Sequence, residues 1–387
     1  VTGVAPGVGG GTTRWWERNR RAVVVAAVGW VWARCCIAAG FALAHLAGAA
    51  DRPDSRLQQG LLAWDGAFYV TLADLWYGGA TPDAARFFPL YPGVGAALAP
   101  LFGGREDIAL VVVANACALL GAVLLWHLAR EVLADPAGRS ALPDDEAARV
   151  ADRTAWMVAL VPAALVLAFA YTEGPALALA AATLLAVQRR RWAWAGLWAL
   201  GAAALRPVGG LLLVPIAIEL WRCRPRPRPL PALAALAGPL VGFVAALGAI
   251  AAVTGAWTSA FDEQQPIRAG FRNPVVRSAE AVWALFNDNW TDVENVPFLV
   301  LWGLLVVVSV HRRQPWSWIA LSAVTLAVAT SAQTIDSLGR YGLLAVGLVV
   351  ALAQWADARW RQVLVGVAGS AGLVWMTAEV LAGRVVP

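Results

Sequence analysis

Long apolar runs recur along this chain, and short loops rich in arginine separate them. The first runs from Ala22 to Ala50 and contains a single basic residue, Arg34. A hydrocarbon layer ~30 Å thick asks for about 20 apolar helical residues, so this run crosses a bilayer with tilt. It is too long for a signal-peptide core and carries no convincing cleavage site. Arg34 is costly in lipid and is expected to face other helices or to snorkel. Composition agrees: 60% of residues are hydrophobic, 14% are charged and the mean hydropathy is +0.63. A soluble domain carries roughly 25% charged residues. The fold class is therefore all-α, a polytopic membrane protein.

The formal charge of +5 is not a nucleic-acid signature. All 30 basic residues are arginine, and they cluster in the loops between apolar spans, where charge sets topology and handles phosphate. Arg14-Trp15-Trp16-Glu17-Arg18-Asn19-Arg20-Arg21 marks a cytoplasmic membrane surface. Residues 1–21 are thus expected as a cytoplasmic tail, the first 13 disordered, ahead of one transmembrane domain at 22–383. An outer loop at 51–106 follows the first span, a second outer loop is expected at 254–295, and 384–387 is expected as an outer tail. The short apolar segment Phe87–Phe102 is read as non-crossing, because a crossing there would put Arg189-Arg190-Arg191 outside. Later spans fall at roughly 107–134, 154–171, 174–188, 192–205, 208–221, 232–253, 296–311, 316–332, 341–356 and 361–383. That makes about 11 in all. Nineteen arginines then lie inside and ten outside, with Arg34 in a span.

Cys35, Cys36, Cys117 and Cys223 form neither a disulfide framework nor a zinc spacing. His45, His127 and His311 are scattered, so no histidine-ligated metal and no cofactor is expected. Four spans between 154 and 221 are short, and their turns Tyr171-Thr172-Glu173-Gly174-Pro175 and Arg206-Pro207-Val208-Gly209-Gly210 suit broken helices that line a cavity.

The outer loop holds Ala63-Trp64-Asp65-Gly66-Ala67-Phe68-Tyr69 and Arg86-Phe87-Phe88-Pro89-Leu90-Tyr91-Pro92-Gly93, an acid beside an aromatic platform. If 65–76 is helical, Trp64, Phe68, Leu72 and Leu75/Trp76 share a stripe while Asp65, Tyr69 and Asp74 point elsewhere, which suits a helix lying in the interface. Gly60 breaks the chain before it, Gly78-Gly79 can supply a left-handed cap, and Pro82 prevents its resumption. Asp65, Asp74, Glu173, Arg206 and Arg340 are ionisable groups near the outer face, a functional signal because unpaired burial costs several kcal/mol, though Asp74 is most simply a solvated face residue. Asp65 precedes a helix that needs no partner there. Glu173 with Arg206 is also readable as an internal ion pair, and each arginine as a snorkelling residue.

Trp64-Asp65 with Phe68-Tyr69, Phe87-Phe88-Pro89-Leu90-Tyr91-Pro92, Tyr171-Thr172-Glu173, Ala203-Ala204-Leu205-Arg206-Pro207-Val208-Gly209 and Leu338-Gly339-Arg340-Tyr341 together resemble the bacterial relatives of the PIG-V type mannosyltransferases. The match runs in order over most of the chain. The resemblance implies a GT-C fold with two juxtamembrane helices in the first outer loop. It also implies a polyprenyl-phosphate-mannose donor and an acidic residue near the loop's start, a place that Asp65 fills. One position departs: eukaryotic members carry a histidine a few residues after the acid, where this chain has Phe68 or Tyr69.

The chemistry implied is mannosyl transfer, with inversion, to an acceptor hydroxyl on a lipid, glycan or protein at the outer face of the plasma membrane. Asp65 would be the base and Arg206 and Arg340 the phosphate ligands, with Trp64, Tyr69, Phe88, Tyr91, Glu173 and Tyr341 around the substrates. Partners would be the lipid-phosphate sugar, the acceptor and membrane lipid, with no nucleic acid. A lipid or glycolipid flippase also buries arginines and breaks helices, but it predicts internal repeats, and none is convincing. A non-catalytic assembly subunit on the same fold is a third reading.

Overall fold

The computed structural model describes residues 10–268, 270–287 and 293–387. Among them every regular element is helical. The helices are α1 (Gly10–Leu46), α2 (Asp65–Gly79), α3 (Leu90–Leu98), α4 (Glu106–Leu133), α5 (Asp144–Met157) and α6 (Glu173–Gln188). After these come α7 (Trp192–Leu205), α8 (Leu213–Arg222), α9 (Pro229–Thr254), α10 (Ser259–Asp262), α11 (Gln265–Arg268) and α12 (Pro274–Ala284). The last are α13 (Val296–His311), α14 (Trp316–Ala329), α15 (Leu338–Leu344), α16 (Val346–Trp355) and α17 (Arg359–Leu381).

Among the described residues, four helices are long and apolar enough to cross a membrane: α1 from Asn19, α4, α9 and α17. The pair α15 and α16, bent by 85° at Ala345, is a fifth if counted as one span. The remaining expected crossings fall on shorter apolar helices or on none. In particular, 154–171 is not a continuous helix, because α5 ends at Met157 and a 3-10 turn at Pro162–Leu167 follows. Proline lacks the N–H that would extend α5 through 162. The segment is nevertheless almost wholly buried, a bent stretch packed inside the bundle. At the other end of the chain, helix α1 begins at Gly10, and 1–9 lie outside the described residues.

The helices sort their faces as lipid demands. Along α9, Leu233, Leu240, Val241 and Val244 are exposed while Ala235, Gly238, Gly242, Ala246 and Ile250 are buried. Large apolar groups outside and small ones inside is the membrane arrangement, in which close backbone approach replaces a hydrophobic driving force. A Cβ at Gly238 would lie 2.1 Å from the Gly196 carbonyl oxygen of α7, and one at Gly242 2.1 Å from that of Leu200. Helix α4 packs on α5 and α6, α1 on α17, and α5 and α13 on α16. Arg34 turns into this bundle: its guanidinium donates to Asn115 Oδ1 at 2.7 and 3.0 Å and to the Leu167 carbonyl at 2.8 Å.

The loop after α1 is folded against the end of α17. The Arg56 N–H donates to the Leu381 carbonyl (2.8 Å) and Trp64 Nε1 to that of Val380 (3.0 Å). Gly60 makes the expected break, at φ 59°. The expected cap at Gly78-Gly79 is not used, since the left-handed residue is Trp76 (φ 55°) and α2 kinks there. Helix α2 turns one face to its neighbours in the protein. Gly66, Tyr69, Leu72, Ala73 and Tyr77 are buried, while Leu75 and Trp76 are exposed, because α3 and α4 cover the tyrosine side.

Candidate active site

Three segments far apart in sequence meet around Asp65. The Leu61 carbonyl accepts from the Ala170 N–H at 2.8 Å, and the Asp65 N–H donates to the Tyr171 hydroxyl at 3.2 Å. These bonds hold the start of α2 against the turn that leads into α6. The third segment enters at Ser337, a left-handed residue (φ 67°) that begins α15 and aims Arg340 at the other two. Arg340 Nη1 donates to Asp65 Oδ2 at 2.7 Å and lies 3.5 Å from Glu173 Oε1, while Nη2 donates to Ser337 Oγ at 2.5 Å. Arg206, on the residue after α7, pairs with the same Glu173 oxygen and sits 3.3 Å from Thr172 Oγ1.

Two carboxylates and two guanidiniums thus form one neutral network. Its members differ in access: Glu173 is 1% exposed and Asp65 25%. Asp65 therefore has a partner, contrary to the sequence expectation, and the internal ion pair Glu173–Arg206 exists. Asp336, near Arg340 in sequence, is not the residue that pairs with it.

A cavity of about 680 Å³ opens on this network. Asp65, Arg206 and Arg340 line it with Trp64, Tyr69, Phe88 and Tyr341. Glu173 does not, and lies behind the arginines as a countercharge. Tyr91 does not either: its hydroxyl donates to the Leu110 carbonyl (2.8 Å), and its ring packs edge-on to Tyr69 and lines a second cavity. Burial foremost, with the Asp65 charge next, pushes the Tyr69 hydroxyl well above its usual range, so it stays protonated beside Thr172 Oγ1 at 3.4 Å. The second cavity, about 640 Å³, is bounded chiefly by apolar side chains of α4, α6 and α7, among them Leu120, Leu179 and Trp198. Leu205 lines both.

Three further arginines reach the first cavity: Arg56, Arg86 and Arg268. Arg86 lies over the Phe68 and Phe87 rings at 4.7 and 4.9 Å, and Arg268 over Tyr341 at 5.4 Å. All three fall among the ten arginines assigned to the outer side. That shared side was the signal available; their convergence needed the loops to fold. Val386 lines the cavity too, and Ser337 Oγ donates to the Pro387 carbonyl at 3.0 Å.

The pairing makes Glu173 a stability determinant. Glu173→Gln leaves Arg206 buried without its ion-pair partner and is expected to destabilise the protein by about 3 kcal/mol, read as a drop in thermal midpoint in detergent.

No family model and no curated protein matches the chain. Among solved structures, the archaeal oligosaccharyltransferase AglB from Archaeoglobus fulgidus, in complex with an inhibitory peptide and a dolichol-phosphate, aligns at 11% identity with a TM-score of 0.48. A second structure of the Archaeoglobus fulgidus oligosaccharyltransferase, tethered to an acceptor peptide, aligns at 11% and 0.47. The alignments cover 96% and 97% of this chain and 56% of the neighbour in each case, so the chain spans about half the length of these proteins. The role of each site residue rests on this chain's own geometry.

Proposed function

We propose that the protein is a membrane glycosyltransferase that moves a mannosyl residue from polyprenyl-phosphate-mannose to an acceptor hydroxyl. The observation that carries the reading is the facing of Asp65 and Arg340 on the wall of a cavity that five arginines line and that adjoins a more apolar one. A lipid-linked sugar phosphate needs both environments at once, and the sequence resemblance supplies the sugar. The acceptor oxygen attacks C1 of the sugar from the face opposite the phosphate, and the C1–O bond to phosphate breaks with inversion. The hydroxyl proton passes to Asp65, and the electron pair leaves on polyprenyl phosphate. Arg340 and Arg206 offset the charge that grows on that phosphate. A phosphate offered to Arg340 competes with Asp65 for the same guanidinium.

The direct test is to incubate purified protein with radiolabelled polyprenyl-phosphate-mannose and membrane lipid extract. Label transferred to a mannoside that survives the mild acid that cleaves the donor is expected. Label that only changes leaflet, in vesicles, supports a flippase instead.

The layout of about 11 crossings with the site facing outward belongs to the same proposal. In a background lacking the four native cysteines, cysteine at Gly79 or Gly104 is expected to react with a membrane-impermeant reagent from outside, and cysteine at Gly138 is not. Outside labelling at 138 would mean that the α3 segment crosses.

A further inference from the structure

A second charged cavity lies at the other end of the bundle. Helix α17 ends at Leu381, beside Trp64, and begins at Arg359, 23 residues and ~34 Å away. There the segment after α4, the first turns of α5, the end of α13 and the end of α16 enclose about 280 Å³. Arg139, Arg153, Arg312 and Arg313 line it, with His311, against the carboxylates of Glu146 and Asp357. With the imidazole neutral, the wall holds two more positive charges than negative.

The arginines are not equally committed. Arg312 pairs with Asp357 (2.7 Å), which also takes Arg361 (2.9 Å). Arg139 donates to the Gln314 carbonyl (2.7 Å) and lies over the Trp316 ring at 4.1 Å. Arg153 is 9% exposed, donates Nε to the Ala353 carbonyl (2.8 Å), and has no carboxylate within 4.0 Å among the described residues. Arg153 lines the cavity, and of the five N–H donors a guanidinium carries, its others have no ion-pair partner among the described residues. Ser140 Oγ, on the same wall, is buried with no hydrogen-bond partner. Burying a guanidinium and leaving a hydroxyl unpaired are both costly, and one acceptor group with several oxygens relieves both.

We infer that this cavity binds a phosphate group, held by Arg153 and Ser140 with Arg139, Arg312 and Arg313 around it. The volume suits one phosphate with a small polar substituent. Such a group is presented either by an anionic phospholipid headgroup in the adjacent leaflet or by a free phosphate ester. This inference is independent of the glycosyltransferase reading, since the cavity shares no residue with the Asp65 site.

The test uses the full chain in nanodiscs of phosphatidylcholine, with phosphatidylglycerol or inorganic phosphate added at constant ionic strength, and reads the thermal midpoint. The midpoint is expected to rise with at least one of the two, and Arg153→Gln should weaken the apparent affinity about tenfold or more. Arg313→Gln, at an exposed position, tests the same cavity without disturbing buried packing and should also weaken it. Arg226→Gln, an exposed arginine outside the cavity, should not. A response to phosphatidylglycerol alone supports the headgroup source, and a response to inorganic phosphate supports the free one. No response to either, or a response that both cavity variants keep in full, overturns the inference.

Discussion

Under the proposed function, Asp65→Asn is expected to lower mannosyl transfer about a thousandfold while the protein still inserts and folds. The amide keeps the carboxylate's shape and an oxygen that can still accept from Arg340 Nη1, which now sits 2.7 Å from Asp65 Oδ2. What it loses is the capacity to take a proton. Because Asp65 is a quarter exposed and Glu173 remains 3.5 Å from Arg340, the stability change should not exceed about 2 kcal/mol. Turnover from the radiolabelled donor and the thermal midpoint, measured on the same preparation, separate the two effects. Wild-type turnover in this variant would remove Asp65 from the mechanism. A large loss of midpoint would instead make Asp65 chiefly the structural partner of Arg340.

The second large effect is expected at Arg340→Lys, a fall of about a hundredfold in transfer even at saturating acceptor. Lysine keeps the charge but not the planar fork, and Arg340 uses that fork: one nitrogen serves Asp65 while the other donates to Ser337 Oγ at 2.5 Å. An ammonium cannot reproduce both directions and still face a donor phosphate. If Arg340 only snorkelled, lysine would do as well. Unchanged donor affinity and rate in Arg340→Lys would therefore return the residue to a structural role, with Asp65 as the reason for its burial.

Sequence by itself determined that this chain is helical and membrane-embedded, since a run such as that of α1 or α4 has no other way to satisfy its backbone in lipid. It also singled out Asp65, Glu173, Arg206 and Arg340, because ionisable groups are rare in so apolar a chain and each stands out singly. The break at Gly60 was legible for a local reason, the cost that a left-handed φ places on other residues.

Tertiary structure decided what local pattern could not. Apolarity at 154–171 does not distinguish one continuous helix from a bent, buried stretch, and only the packed structure shows the latter. The turn after α2 fell on Trp76 and not on the glycines, where aromatic packing on Tyr77 accompanies the left-handed residue (ring centroids 5.1 Å). Above all, the partner of Asp65 stands 275 residues away. Periodicity speaks only for residues within a few turns of one another. Which carboxylate meets which guanidinium is set by how α2, α6 and α15 come together, and that choice alone makes a site of four separately visible charges.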